Sequence, residues 1–186
     1  MYRLRYSIVV EKGWARPADF PDGLERDAYD DAAVQVVAWD ADALAAATRL
    51  VRAAPGHPLP TEEAFDLKVE PRTRVMDVGR MCVAPAYRDA RHRVLAALLS
   101  RTWIEMRARD CTEACGIFAT AVVRMYRGMG FHVVILGAPR LFWGEERYPV
   151  LIRPAESLHT LTRRLRQTRT EPELSPQGSQ RVAGPA

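Results

Sequence analysis

The chain has 186 residues, 48% of them apolar or aromatic and 27% charged, with 27 basic against 23 acidic side chains. That balance fits one globular domain with a sizeable core and excludes wholesale disorder. No apolar run approaches the roughly 18–20 residues of a membrane span, the N-terminus carries no signal-like apolar core, and three cysteines argue against a disulfide framework, so a reducing cytoplasm is the expected setting.

Along the chain, Tyr2, Leu4, Tyr6, Ile8 and Val10 alternate as in a strand, whereas Met1, Leu4, Ile8 and Val9 fit one helical face. Periodicity leaves that opening stretch undecided. Residues 33–40 alternate and are rich in Val, which predicts a strand ending at the Asp40-Ala41-Asp42 turn. Residues 43–52 read two ways: their alanines favour a helix capped by Asp42, and the short turn favours a second hairpin strand. A strand follows at 74–83, stopped by Pro85. Residues 90–109 predict a helix with Val94, Leu95, Leu98, Leu99, Trp103 and Met106 on one face. Then come a strand at 113–119, a short helix at 121–129 closed by Gly130, a strand at 131–136, and a last strand at 147–152 after a Gly144-Glu145-Glu146 turn. This order predicts a mixed α/β sandwich. Residues 167–186 are polar and rich in Pro, Gly, Ser and Gln, too poor in apolar side chains to offset the entropy of ordering. A single domain over residues 1–166 with a disordered tail is expected.

The charge is unevenly placed. Of the basic residues, 25 are Arg and two are Lys, and residues 153–186 hold six Arg against three Glu. The surplus therefore sits largely in the tail instead of on a folded face interleaved with aromatics, which argues against nucleic-acid binding. Cys111 and Cys115 lack a second pair of ligands, and His57, His92, His132 and His159 are scattered, so no metal site is expected.

Two stretches carry chemistry. The unit over residues 75–99 and the later Ala119-to-Phe131 stretch look like the central strand, loop and helix, and the following helix and strand, of the acetyltransferase superfamily. A helix N-terminus offers free N–H groups and a positive dipole end to a pyrophosphate. Here the glycines of coenzyme A users are absent, and Arg88, Arg91 and Arg93 occupy the region. They fit a donor held by side-chain charge, such as an acidic acyl carrier protein, or else solvate the helix start.

In the N-terminal half, Arg5, Trp14, the Asp27/Asp30 pair, Thr48-Arg49-Leu50 and Asp77-Val78-Gly79-Arg80 follow one another in order. That succession resembles the acyl-homoserine-lactone synthases, the autoinducer synthases of quorum sensing, over about residues 1–152. The resemblance implies an acetyltransferase-like (GNAT) mixed sheet with split central strands between helices, with residues 2–12 helical and residues 44–52 a strand. It also implies acyl transfer from acyl carrier protein or acyl-CoA to the amine of S-adenosylmethionine, then lactonisation with release of methylthioadenosine. No tightly bound cofactor is implied, and an acyl carrier protein is the expected partner.

The residues suit such substrates. Asp27 and Asp30 supply charge opposite to a sulfonium and an ammonium, against the plainer reading of a helix-cap or surface acid pair, while Trp14 and Tyr29 offer aromatic faces to a cation, against the plainer reading of Trp14 as core. Arg5, Arg49 and Arg80 pair with the carboxylate or brace the acids. Asp77 stands where the family has glutamate and is the candidate base. In a regular strand Asp77 and Arg80 face opposite ways, so they cooperate only across a bulge, for which Gly79 is a suitable residue. Leu98, Trp103, Phe118 and Met125 are candidate acyl-pocket residues, against the plainer reading of a helix stripe as core. The chain departs from the family pattern at Val9, usually aromatic, and at Gly79, often a hydroxyl residue. The same fold also serves N-acyl amino acid synthases and other small-molecule N-acyltransferases, and an inert acyl-carrier or signal binder is a third reading.

Overall fold

The computed structural model describes residues 1–89 and 92–154. Arg91 and the predicted tail fall outside them. The described residues form helices α1 (Tyr2–Glu11), α2 (Pro60–Phe65), α3 (Arg93–Arg107) and α4 (Thr120–Gly128). Their strands are β1 (Val34–Asp40), β2 (Ala43–Arg52), β3 (Val75–Val83), β4 (Glu113–Ala119), β5 (Val133–Ile135), β6 (Arg140–Phe142) and β7 (Glu145–Ile152). They join in one sheet of order β1-β2-β3-β4-β7-β5, with β6 paired to β7. The pair β3–β4 is parallel and the other pairs are antiparallel. This is the mixed α/β sandwich expected.

Both undecided stretches resolve through burial. The opening residues are helical, and α1 lays Ile8 against Ala47 of β2 and Cys82 of β3. Residues 43–52 form a strand: Ala45, Ala46 and Ala47 are all buried, because β2 is covered on both faces. Ala47 meets α1, while its neighbour Ala46 faces the main core with Leu98 and Met106 of α3. Small side chains let a helix approach each face of the strand, so tertiary packing overrides the helical preference of alanine. The sequence reading places α3 from residue 90, whereas its first helical residue is Arg93 after His92 at φ 51°. It also misses β6, and it puts the last turn one position late. Trp143 and Gly144, at φ 52° and 71°, form the two-residue turn that joins Phe142 to Glu145.

Two irregularities in the sheet create the site. Pairing between β3 and β4 ends at Asp77 with Cys115, although β3 runs on to Val83 and β4 to Ala119. The centre of the sheet therefore splits. Within β3, Arg49 of β2 pairs Gly79, while Ala47, two residues earlier, pairs Cys82 three residues later. The extra residue is a β-bulge at Arg80 and Met81, and Arg80 takes φ 53°. The bulge on which cooperation of Asp77 and Arg80 depends is present, but Arg80, not Gly79, takes the left-handed conformation in it. Its effect is to switch side-chain parity: Met76 and Val78 face the main core before it, and Met81 and Val83 after it. Arg80 thereby joins Asp77 and Arg49 on the α1 side.

Candidate active site

A cavity of about 600 Å³ passes through the split. On the α1 side its wall is polar and aromatic, with Arg5, Trp14, Glu25, Arg49, Asp77, Arg80, Trp143, Glu145 and Arg147. On the α3–α4 side it is apolar, with Leu95, Phe118, Val122, Met125 and Tyr126. Gly79, Met81 and Ile117, from the two diverging strands, lie between the two arms.

The polar wall is organised by a closed ring of alternating charges. Arg5 pairs with Glu25 and, at 2.6 Å, with Asp30; Asp30 lies 3.1 Å from Arg49. Arg49 pairs with Asp27 at 2.5 Å, Asp27 with Arg80 at 2.8 Å, and Arg80 with Glu25 at 3.0 Å. Three arginines thus meet three carboxylates, each side chain touching two partners. Burial makes such a ring expensive unless every charge is matched. The matching decides the titration. Burial opposes the charge on Arg5, yet its hydrogen bonds to Asp30 and Glu25 hold its pKa above the usual value. Burial likewise opposes ionisation of Asp30, and the bonds from Arg5 and from the Asp27 amide, with the attraction of Arg49, hold the carboxyl at about 2.

The ring sorts the expected substrate-binding residues. Arg5, Arg49 and Arg80 line the cavity, whereas Asp27 and Asp30 stand behind them as braces. Glu25, which sequence reasoning missed, lines the cavity and belongs to the ring. Its signal was the acid two residues before Asp27, overlooked because the expected motif began at the Asp pair. Trp14 belongs to the wall: its Nε1–H donates to Glu145 Oε1 at 2.8 Å, and the Arg147 guanidinium lies 4.3 Å from its ring. Arg80 lies over Trp143 at 4.5 Å. Tyr29 does not line the cavity, since Arg49 covers its ring at 5.7 Å and its hydroxyl donates to Glu63 at 2.5 Å.

Asp77 is buried where the two strands part. Its Oδ2 accepts the Thr61 amide of α2 at 2.7 Å and lies 3.6 Å from the Cys115 thiol. Its Oδ1 is on the Gly79 side, 3.7 Å from where a glycine Cβ would stand. Burial pushes the carboxyl pKa up, against the Thr61 and Cys115 bonds and the attraction of Arg49. Asp77 therefore caps α2 through one oxygen and leaves the other beside Gly79, a residue of the cavity lining.

On the apolar side, two of the four candidate acyl-pocket residues, Phe118 and Met125, line the cavity. Leu98 and Trp103 do not. Leu98 is buried in the main core, and Trp103 packs against that core beneath Arg107, because the α3 stripe faces β1 and β2. Tyr126, absent from the expected set, closes this arm with Phe118 and Phe131, at centroid distances of 5.0 and 5.3 Å. Arg88 reaches the cavity while its guanidinium grips Glu11 at 2.7 and 3.0 Å and Val83 O at 3.0 Å. Arg93 is exposed beside Asp89 and is not part of the wall. Among the described residues no cluster of His, Cys, Asp or Glu could hold a metal ion, and no helix is long and apolar enough to cross a membrane.

The central sheet is thus split, with a bulge beside the split, and is crossed by a cavity between helices. The chain belongs to the acetyltransferase (GNAT) domain family, whose model matches residues 4–100, and is an acyltransferase on that ground. No protein of curated function matches it in sequence. Among solved structures it is similar to TofI, determined in a ternary complex with an inhibitor and MTA, at 26% identity over 87% of this chain and 86% of that one, with a TM-score of 0.69. It shares its fold with BjaI, a CoA-dependent acyl-homoserine lactone synthase determined with SAM and isopentyl-CoA (22% identity, 97% and 85% covered, TM-score 0.72). It shares it also with FeeM, an N-acyl amino acid synthase from uncultured soil microbes (11% identity, 89% of each chain, TM-score 0.67).

Proposed function

We propose that the chain is an acyl-homoserine-lactone synthase, transferring an acyl group from a thioester to the amine of S-adenosylmethionine. The observation that carries the reading is the two-armed cavity. One arm is apolar and one is charged and aromatic, and they meet at the β3–β4 split beside a buried carboxylate. An acyl thioester and a cationic amino acid differ in the same way, so each arm suits one substrate. The likeness to TofI, determined with MTA, and to BjaI, determined with SAM and an acyl-CoA, supports the pairing of substrates.

Asp77 is the base in this scheme. Its Oδ1 takes a proton from the substrate ammonium, directly or through water, and the freed amine attacks the thioester carbon. The tetrahedral oxyanion is held by backbone N–H groups of the diverging strands. Collapse releases the thiol and leaves the amide. The substrate carboxylate then attacks the methionine Cγ, the carbon–sulfur bond breaks toward the sulfonium, and methylthioadenosine leaves with the electron pair. Acyl thioester and S-adenosylmethionine thus become acyl-homoserine lactone, methylthioadenosine and free thiol. The donor is carried on acyl carrier protein or on coenzyme A, with Arg88, which lines the cavity, the arginine placed to meet it, and the chain works as a soluble cytoplasmic enzyme of one domain with a polar tail.

Incubation with S-adenosylmethionine and a panel of acyl-carrier-protein and CoA thioesters, read by mass spectrometry, tests the proposal. An acyl-homoserine lactone is the expected product, and the productive donor identifies the carrier. The likeness to FeeM favours a second reading, an N-acyl amino acid synthase, whose product would be an acylated amino acid formed without methylthioadenosine.

A further inference from the structure

Three of the four arginines on the polar wall are already committed. Arg5, Arg49 and Arg80 are each held by two carboxylates of the ring, which is neutral as a whole. Arg147 differs. Its side chain is 12% exposed, it lines the cavity, and its Nε and Nη2 are buried without a hydrogen-bond partner. Glu145 is its nearest acid, with Oε2 at 3.6 Å from Nη2, beyond hydrogen-bond reach, while Glu145 Oε1 is taken by Trp14 Nε1–H. Burial pushes the Arg147 pKa below its usual value; the attraction of Glu145 opposes that shift and the repulsion of Arg80 adds to it.

A buried guanidinium with idle donors is costly, and such donors call for an acceptor that arrives later. Nε and Nη2 share one edge of the guanidinium, the edge that a carboxylate engages with both oxygens. The Trp14 ring at 4.3 Å holds the guanidinium in place. We propose that Arg147 is the anchor for the α-carboxylate of the amine substrate, an inference that rests on the S-adenosylmethionine reading above. Holding the carboxylate there fixes the amino acid end of the substrate against β7, and it gives the site a means of rejecting amines that lack a carboxylate.

Calorimetric titration of the full chain with S-adenosylmethionine, decarboxylated S-adenosylmethionine and methylthioadenosine tests this. In the wild type, loss of the ligand carboxylate should weaken binding about 10- to 100-fold, the range of a charge-assisted hydrogen-bonded contact. Arg147→Met should weaken S-adenosylmethionine by a similar factor and leave the other two ligands within about twofold, and Arg147→Lys should fall between. Methylthioadenosine, which lacks the α-carboxylate and the α-amine, reports whether each variant keeps its site. Equal weakening of all three ligands, or unchanged S-adenosylmethionine binding in Arg147→Met, overturns the inference alone. A wild-type chain that binds none of the three overturns the functional reading, and the inference with it.

Discussion

Replacing Glu25 by Gln removes one negative charge from the ring without changing its shape. Glu25 is 1% exposed and is the shared partner of Arg5, itself 2% exposed, and Arg80. The substitution leaves the buried ring with a net positive charge and sets an amide against guanidinium donors. Breaking a buried pair by removing one partner costs about 3–5 kcal/mol. Against a total stability of about 5–15 kcal/mol, that is a large fraction. With a urea dependence of about 2 kcal/mol per molar, the midpoint should fall by roughly 2 M in equilibrium unfolding followed by circular dichroism. The double variant Glu25→Gln/Arg80→Gln restores neutrality, so it should be less destabilised than the sum of the single changes. A single variant within about 1 kcal/mol of wild type, or strict additivity in the cycle, would refute the view that these charges act as one closed unit.

The same ring predicts acid lability. Asp30 is held at about 2, below its ordinary 3.8, so its contribution is complete above the unfolded value and disappears as pH falls through about 2. About 2.5 kcal/mol should be lost between roughly pH 5 and pH 1 in urea titrations, and Asp30→Asn should flatten that slope. Asp77→Asn should lower kcat by about 100- to 10,000-fold in a thiol-release assay, and unchanged turnover would reject the base assignment. Because burial raises the Asp77 pKa, the acid limb of the wild-type kcat profile should lie above the ordinary carboxylate range, with activity rising as Asp77 deprotonates. At Gly116 a Cβ would stand 2.9 Å from the Val78 carbonyl oxygen, a backbone atom beside the split, so Gly116→Ala should cost about 1–3 kcal/mol in urea unfolding. Met125→Trp should shorten the preferred acyl chain in a donor panel while leaving methylthioadenosine binding unchanged, since Met125 belongs to the apolar arm.

Where one face of an element is polar and the other apolar, the sequence reads plainly: β1, β3 and α3 declare themselves by period and by their stop residues. Helix α1 does not, because its buried face carries Arg5 beside Ile8 and Val9. An arginine that is inside only because two acids from elsewhere, Glu25 and Asp30, pair with it looks like a surface residue in sequence. Strand β2 is obscured by the alanines that let helices approach both of its faces. The polar wall and its braces were legible as ordered types, in Arg5, Trp14, Asp27, Asp30, Arg49, Asp77 and Arg80, and the bulge was legible as a condition on Asp77 and Arg80. Which acids face the cavity was not legible, since it depends on the ring closing through Glu25. The wall formed by Trp143, Glu145 and Arg147 comes from a two-residue turn more than a hundred residues away from Trp14, and no local pattern connects them. Leu98 and Trp103 show the limit of a helical stripe: it identifies the buried face of α3, while the sheet decides whether that face meets core or cavity.

The central claim is acyl transfer coupled to release of methylthioadenosine. Quantifying methylthioadenosine against free thiol, after turnover with S-adenosylmethionine and a productive acyl thioester, tests it most directly. The account predicts one methylthioadenosine for each thiol released, with an acyl-homoserine lactone in equal amount. Thiol released without methylthioadenosine, or no thiol released with any donor, would contradict it.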